Sequence, residues 1–283
     1  MGSVRGSGIT FVRLEPVFLA LCFICGLYPG CGRGGDRLTR VRVTGASTLY
    51  PIVQLAAEEL KRDGVIQVEA QAGGSTRGFE DTLAGRNDLG AMARELTAEE
   101  ARQVLRFPIA YDGIGVVVHA SNPLTSLTTN DLRRVYRKEI TNWKEFGGTT
   151  ADIVAVTKAE GHATLESFLN HTGLSRQEVK ADVACGDNAQ VIRVVANTVN
   201  AIAYVSLGEV LHAMEIGMPL KMVQLDGIAP TVESVADGSY PMSRTLYLVS
   251  KEEPAGGSLA LLEFLGSQRG RAIIERGRYV PLP

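Results

Sequence analysis

Three segments of this 283-residue chain set hydroxyl side chains beside small residues just where a helix is due to begin. They are Gly45-Ala46-Ser47-Thr48, Gly73-Gly74-Ser75-Thr76 and Gly161-His162-Ala163-Thr164, the last with Lys158 just ahead of it. The chemistry they suggest is anion capture. The first four N–H groups of a helix lack partners within it, and the helix dipole places roughly half a positive charge at the same end. Ser and Thr hydroxyls cap such ends or donate to a ligand, and glycine lets a ligand approach the backbone. One such turn is ordinarily only a cap. Several converging on one point could hold an oxyanion stripped of its water.

The pattern around the turns supplies a scaffold that can aim them together. Residues 40–44 alternate polar and apolar, as a half-buried strand does. Pro51 then opens a helix over residues 52–62, which Gly64 stops. The sequence predicts further strands over residues 65–70, 114–119, 153–156, 201–205 and 245–249. It predicts helices over residues 77–84, from a Thr128 or Thr129 cap to Lys138, up to about Asn170, and over residues 259–275, followed by an extended end at 279–281. Strand, small polar turn and helix in repetition imply an α/β fold with parallel pairing.

Composition narrows the function. The 29 basic and 31 acidic residues nearly cancel, which argues against a nucleic-acid binder, and a hydrophobic fraction of 45% suits a globular core. Arg5 and Arg13 precede or flank an uncharged apolar run over residues 17–28, too short to span a bilayer and suited to a signal-peptide core. Residues 1–30 are therefore read as a signal peptide and 31–39 as a linker. Tyr28-Pro29-Gly30-Cys31 resembles the lipobox of bacterial lipoproteins, which would make Cys31 the lipidated first residue of a chain at the periplasm or cell surface. Cys185 is then left without a partner and reads as a small buried residue. His119, His162, His171 and His212 show no metal-ligand spacing, no Gly-x-Ser-x-Gly elbow is present, and no cofactor is implied.

A set of motifs carries a resemblance. Gly45-Ala46-Ser47-Thr48-Leu49-Tyr50-Pro51, Gly73-Gly74-Ser75-Thr76, Asp88-Leu89-Gly90-Ala91-Met92-Ala93-Arg94, Ile109-Ala110-Tyr111-Asp112-Gly113, Ile140-Thr141-Asn142-Trp143, Ala201-Ile202-Ala203-Tyr204-Val205, Tyr240-Pro241-Met242-Ser243-Arg244 and Tyr279-Val280-Pro281-Leu282 occur in this order. Together they resemble the Pst-type phosphate-binding proteins of phosphate ABC transporters, in the periplasmic binding protein type II superfamily. The resemblance implies two α/β lobes joined by crossover strands near residues 112–116 and 243–246, with the ligand in the cleft between them. Lobe 1 would comprise residues 40–113 and 245–283, and lobe 2 residues 114–244. It implies ligand contacts from Ser47, Thr48, the Tyr50 backbone and Ser75 on one side, and from Lys158, His162, Ala163 and Thr164 on the other. Ala93, Arg94 and Asp112 would stand just behind them. The implied partners are phosphate or a similar oxyanion, the membrane subunits of an ABC transporter, and the membrane itself through Cys31; the protein would be a monomer and no enzyme.

Three departures bear on the ligand. Ala93 stands where the family has an acceptor that takes a proton from phosphate and repels sulfate. Lys158 stands where the family has arginine, giving a point charge in place of a planar fork. His162 replaces a serine and can titrate near neutral pH. The expectation is an oxyanion site of reduced selectivity, unless another acceptor such as Glu160 substitutes, with affinity falling as pH rises if an imidazolium touches the anion. A sensory or scaffolding module that kept the fold is the alternative, and a hydrolase a more distant one. Arg94 reads either as a cleft-edge residue or as a structural ion pair. Arg133, Arg134, Arg137 and Lys138 read as a solvated basic face or a docking face.

Overall fold

The computed structural model describes residues 38–282. Strand and helix alternate from the start: β1 (Thr39–Gly45), α1 (Tyr50–Arg62), β2 (Ile66–Ala72), α2 (Ser75–Leu83), β3 (Leu89–Met92), β4 (Leu105–His119) and β5 (Ser126–Leu127). Then come α3 (Thr129–Tyr136), β6 (Val154–Lys158), α4 (Ala163–Thr172), β7 (Val183–Cys185), α5 (Asn188–Asn197), β8 (Ala201–Ser206), α6 (Leu207–Glu215), β9 (Leu220–Leu225) and α7 (Val232–Ala236). The chain closes with β10 (Ser243–Ser250), α8 (Gly256–Gly266), α9 (Gln268–Arg276) and β11 (Val280–Pro281). The expected signal peptide, Cys31 and most of the linker lie outside the described residues. Among the described residues, no helix is long and apolar enough to cross a membrane.

The long strand β4 organises the molecule. Up to Gly113 it pairs antiparallel with β10; from Ile114 onward it pairs antiparallel with β8 and then β9. It is thus shared by two sheets, β2-β1-β3-β10-β4 and β4-β8-β6-β7, and each sheet anchors one lobe. The second crossing lies beside it, where the Ile114 amide donates to the Met242 carbonyl at 2.9 Å just before β10. A strand covered on both faces needs apolar side chains on both, and residues 114–118 are all buried.

Each lobe has its own core. In lobe 1, Val41 and Val43 point inward from β1 against Ile52, Val53, Ala56 and Leu60 of α1, while Arg40 and Arg42 face solvent. This is the alternation of a half-buried strand meeting the stripe of an amphipathic helix. In lobe 2, Tyr136, Phe168 and Tyr204 form an aromatic stack, with Phe168 and Tyr204 ring centroids 3.9 Å apart and parallel. The buried Tyr136 hydroxyl donates to the Val156 carbonyl at 2.9 Å, as a buried phenol must find a partner.

One element differs from expectation. The continuous helix over residues 259–275 is two helices, α8 and α9, broken at Ser267, which is extended and accepts from the Gly270 amide as an N-cap. Gly270 makes the corner feasible, because a Cβ there would meet the Phe264 carbonyl oxygen at 2.2 Å. Helix α3 begins as expected, with the Thr128 side chain and Asp131 forming a reciprocal capping box.

Candidate functional site

The loops at the carboxyl ends of the parallel strands of both lobes meet at one place, where α/β sheets ordinarily hold ligands. From lobe 1, β1 leads into Ser47 and Thr48, β2 into Gly74 and Ser75, and β3 into Ala93. The first two turns are locked together, since the Gly73 and Gly74 amides both donate to the Gly45 carbonyl, at 2.8 and 2.9 Å. Ser75 is fully buried, and its hydroxyl accepts from the Ala93 amide at 3.0 Å. From lobe 2, β6 leads into Lys158 and the turn that opens α4, β7 into Asn188, and β8 into Ser206 and Glu209. The lobes touch where the Thr76 amide donates to the Gly161 carbonyl at 3.3 Å. Gly74 (φ +90°) permits that approach, because a Cβ there would lie 2.5 Å from the same carbonyl oxygen.

Arg244, at the start of β10, binds these pieces into one constellation. Its Nε and Nη2 donate to Asp112 Oδ2 at 3.1 and 2.8 Å. Nη2 also donates to Thr48 Oγ1 at 3.0 Å, and Nη1 to Thr164 Oγ1 at 3.1 Å and the Ala93 carbonyl at 3.3 Å. All five guanidinium N–H groups are thus engaged, and they reach both lobes. The geometry has a chemical consequence. Both threonine oxygens accept from Arg244, so each hydroxyl proton is left to be donated elsewhere. Asp112 Oδ1 accepts from Ser206 at 3.1 Å, and the Gly208 amide adds a further donor. Burial pushes the Asp112 carboxyl above its ordinary value, against the pull of these partners.

A second chain of contacts runs from the same threonine. Asn188 Nδ2 donates to Thr48 Oγ1 at 3.3 Å and to Glu209 Oε1 at 2.5 Å. Its Oδ1 accepts from Lys158 Nζ at 3.2 Å. Lys158 is 2% exposed, and burial, offset in part by Glu209 and Asp187, brings its pKa down to about 8. Burial pushes Glu209 up to about 7; Asn188 pulls the other way, Asp112 raises it further, and Lys158 and Arg244 lower it.

Residues 33–269 match the family model described as PBP superfamily domain. The chain belongs to the PBP superfamily. It is 24% identical over 245 residues to the phosphate-binding protein PstS of Bacillus subtilis, covering 85% of this chain and 80% of that one. It is 26% identical over 275 residues to PstS of Staphylococcus aureus, covering 92% and 83%. Among solved structures, it is similar to a Clostridium perfringens protein described as a phosphate ABC transporter substrate-binding protein and crystallised with phosphate (TM-score 0.81, 27% identity, 87% of this chain and 100% of that one). It is also similar to an ABC-type phosphate transport receptor from Vibrio cholerae (TM-score 0.69, 26% identity, 86% and 100%).

Within this PBP-superfamily chain the expected residues fall into distinct places. Thr48, Ser75, Lys158, Ala163 and Thr164 are all buried in the meeting region. Ser47 opens the turn before α1, and the Tyr50 side chain is exposed, its hydroxyl accepting from Gln54. His162 caps α4 without a side-chain bond, and burial, reinforced by Lys158, holds its pKa below the ordinary value. That favours a neutral imidazole at physiological pH. Arg94 lies at the cleft edge in an ion pair across the lobes. It donates twice to Glu100, both at 2.7 Å, and its Nε lies 2.8 Å from Glu166 Oε2, off the line of a hydrogen bond. Glu160 does not replace the missing acceptor: it is exposed and faces Arg176 at 3.5 Å. The basic run is engaged locally, with Arg133 on the Thr172 carbonyl, Arg134 near Glu139, Arg137 on Glu178 and Lys138 on Asp182. Cys185 is buried and its thiol is free.

Arg244, Asn188 and Glu209 carry the constellation, and local sequence pattern assigns a role to none of them. The signal for Arg244 is its place at the end of Tyr240-Pro241-Met242-Ser243-Arg244. Glu209 offered a fainter signal, an acid placed just after a wholly buried strand.

Proposed function

We propose that this chain is an extracytoplasmic solute-binding protein that captures inorganic phosphate, or a closely related oxyanion, for uptake by an ABC transporter. The observation that carries this reading is the double engagement of Arg244 by Thr48 and Thr164. Two hydroxyls from opposite lobes each accept from one guanidinium, so each keeps a proton that an acceptor held between the lobes can take as a hydrogen bond. That acceptor would be the oxyanion, held as the lobes close by these hydroxyls, by Ser75, by the starts of α1, α2 and α4, and by the Lys158 ammonium. Ser47, the Tyr50 backbone, His162 and Ala163 belong to the same helix starts. Ala93, Arg94 and Asp112 act from behind, Asp112 by holding Arg244 and Arg94 by tying the lobes together. The relatives that match over most of the chain are named for phosphate binding, which supports the same ligand.

The function is binding rather than catalysis, since the two central hydroxyls meet a guanidinium and not a base. Titration calorimetry with inorganic phosphate should give saturable one-to-one binding. No heat and no thermal shift with phosphate, sulfate, arsenate or molybdate would refute the reading and return the scaffold alternative. Tethering through a lipid on Cys31 belongs to the same proposal. Cys31→Ser should move the protein from the membrane to the soluble fraction, and an unchanged distribution would remove the tether.

A further inference from the structure

With Ala93 apolar and Glu160 turned to the surface, the oxyanion site needs an acceptor from elsewhere if it is to distinguish a protonated anion from a bare one. Four carboxyls come near. Asp112 is saturated by Arg244, Ser206 and the Gly208 amide. Asp187 caps α5 by accepting from the Gln190 amide. Glu160 pairs with Arg176. Glu209 is different. It stands in the first turn of α6, one side-chain amide away from Thr48, with Asn188 bridging the two. It forms no ion pair among the described residues, and only its Oε1 accepts a hydrogen bond from them.

Asn188 has no freedom to replace it. Lys158 can only donate, so it fixes the amide oxygen; the amide nitrogen is shared between Thr48 and Glu209. The charged and titratable groups around Glu209 come from each neighbouring element: Asp112 of β4, Lys158 of β6, Arg244 of β10, Arg193 of α5, Arg276 of α9, and Tyr279. His212 and Glu215 follow on its own helix. The solvent side of Glu209 lines a groove of ≈ 930 Å³ between the lobes, which gives protons a route to it.

We propose that Glu209 is a specificity-determining residue of this site: it accepts the hydrogen bond that hydrogen phosphate donates, a role Ala93 cannot fill. This inference rests on the oxyanion reading above. The ionised carboxylate accepts a hydrogen bond from a P–O–H group but repels sulfate, which has no proton. The neutral carboxyl donates to either anion. Both ionic forms of phosphate present near neutral pH keep at least one proton. Phosphate therefore tolerates an ionised Glu209, and sulfate requires a protonated one.

The test is calorimetric titration of the purified protein and Glu209→Gln with inorganic phosphate and with sulfate, from pH 6 to pH 8. For a single carboxyl titrating near 7, the phosphate-to-sulfate affinity ratio of the wild type should rise about tenfold across that range. Lys158 acts on both anions and cancels in the ratio. In Glu209→Gln the ratio should be smaller at pH 8 and keep only the pH dependence of phosphate's own ionisation, because the amide donates at every pH. A variant that weakens both anions equally, or one whose ratio keeps the full wild-type pH dependence, overturns the proposal and leaves Glu209 a structural group. Should Glu209→Gln not fold, a flat wild-type ratio overturns it alone. Failure of the wild type to bind either anion instead removes the oxyanion reading, and this inference with it.

Discussion

Asp112→Asn is the substitution that separates bracing from binding. The Asp112 and Arg244 side chains are 0% and 4% exposed, and a single carboxylate oxygen takes two of the five guanidinium donors, at 3.1 and 2.8 Å. Asparagine keeps the shape and can still accept from Arg244 while facing Ser206. It removes the counter-charge and leaves a guanidinium buried without an anion. Removing one partner of such a pair costs about 3–5 kcal/mol. For a body of this size each kcal/mol lowers the melting temperature by about 2–4 °C, so the expected drop is roughly 6–20 °C. Phosphate at 100 times its dissociation constant would return about 2.7 kcal/mol. Urea denaturation with and without phosphate measures both quantities. Since Arg244 retains Thr48 and Thr164, phosphate affinity should stay within about tenfold of wild type, or 1.4 kcal/mol. A stability loss under about 1 kcal/mol, or abolished binding in a folded variant, would refute the assignment of Asp112 as a brace.

Other perturbations test other parts of the site. Gly74→Ala puts a Cβ 2.5 Å from the Gly161 carbonyl oxygen and should block closure, raising the phosphate Kd by about 100-fold or more (~2.7 kcal/mol) while each lobe stays folded by circular dichroism; unchanged affinity would show that the lobes need not meet there. Burial holds Lys158 at about 8, below its ordinary 10.5, so the folded chain sheds a proton that the unfolded chain keeps. The charge-burial penalty is therefore full below pH 8 and relieved between pH 8 and 10.5. Lys158→Met should accordingly raise the melting temperature at pH 7 and weaken phosphate binding, and a destabilised variant would contradict this. Glu166→Gln removes the anion that Arg94 meets across the cleft while leaving Arg94 on Glu100; phosphate dissociation followed by stopped flow should quicken about two- to fivefold, the scale of a partly exposed ion pair.

Much of this arrangement was legible because it is local. The Gly45–Thr48 and Gly73–Thr76 turns announce themselves through glycine, hydroxyls and a following apolar stripe; the cap of α3 was legible as Thr128 or Thr129, and the bond with Asp131 selects Thr128. The break at Ser267 was hidden because the apolar period runs on through it, and only the packing of Gly270 on the end of α8 decides the corner. Arg244 was hidden for a different reason. Its partners Asp112, Thr48 and Thr164 lie far away in sequence, and no local pattern encodes a five-fold engagement. Glu209 was masked because an acid in the first turn of a helix is favourable on its own account. What makes it distinctive is that its carboxyl meets a side-chain amide and, among the described residues, no ion-pair partner, a property of the assembled lobes.

The shared strand β4 also sets an order of assembly. Lobe 2 is an insertion: every strand that pairs with residues 114–119 has been delivered by Leu225, whereas β3 has no neighbour on its far side until β10 arrives. A chain delivered N-terminus first thus completes its second lobe while the first still presents an open sheet edge and an unfilled place between β3 and β4. The strand that fills that place begins with Ser243 and Arg244, and only the short β11 pairs with β4 after it. The residue that joins the two halves of the pocket therefore arrives after both lobes have supplied their threonines, so anion capture becomes available only once β10 is in place.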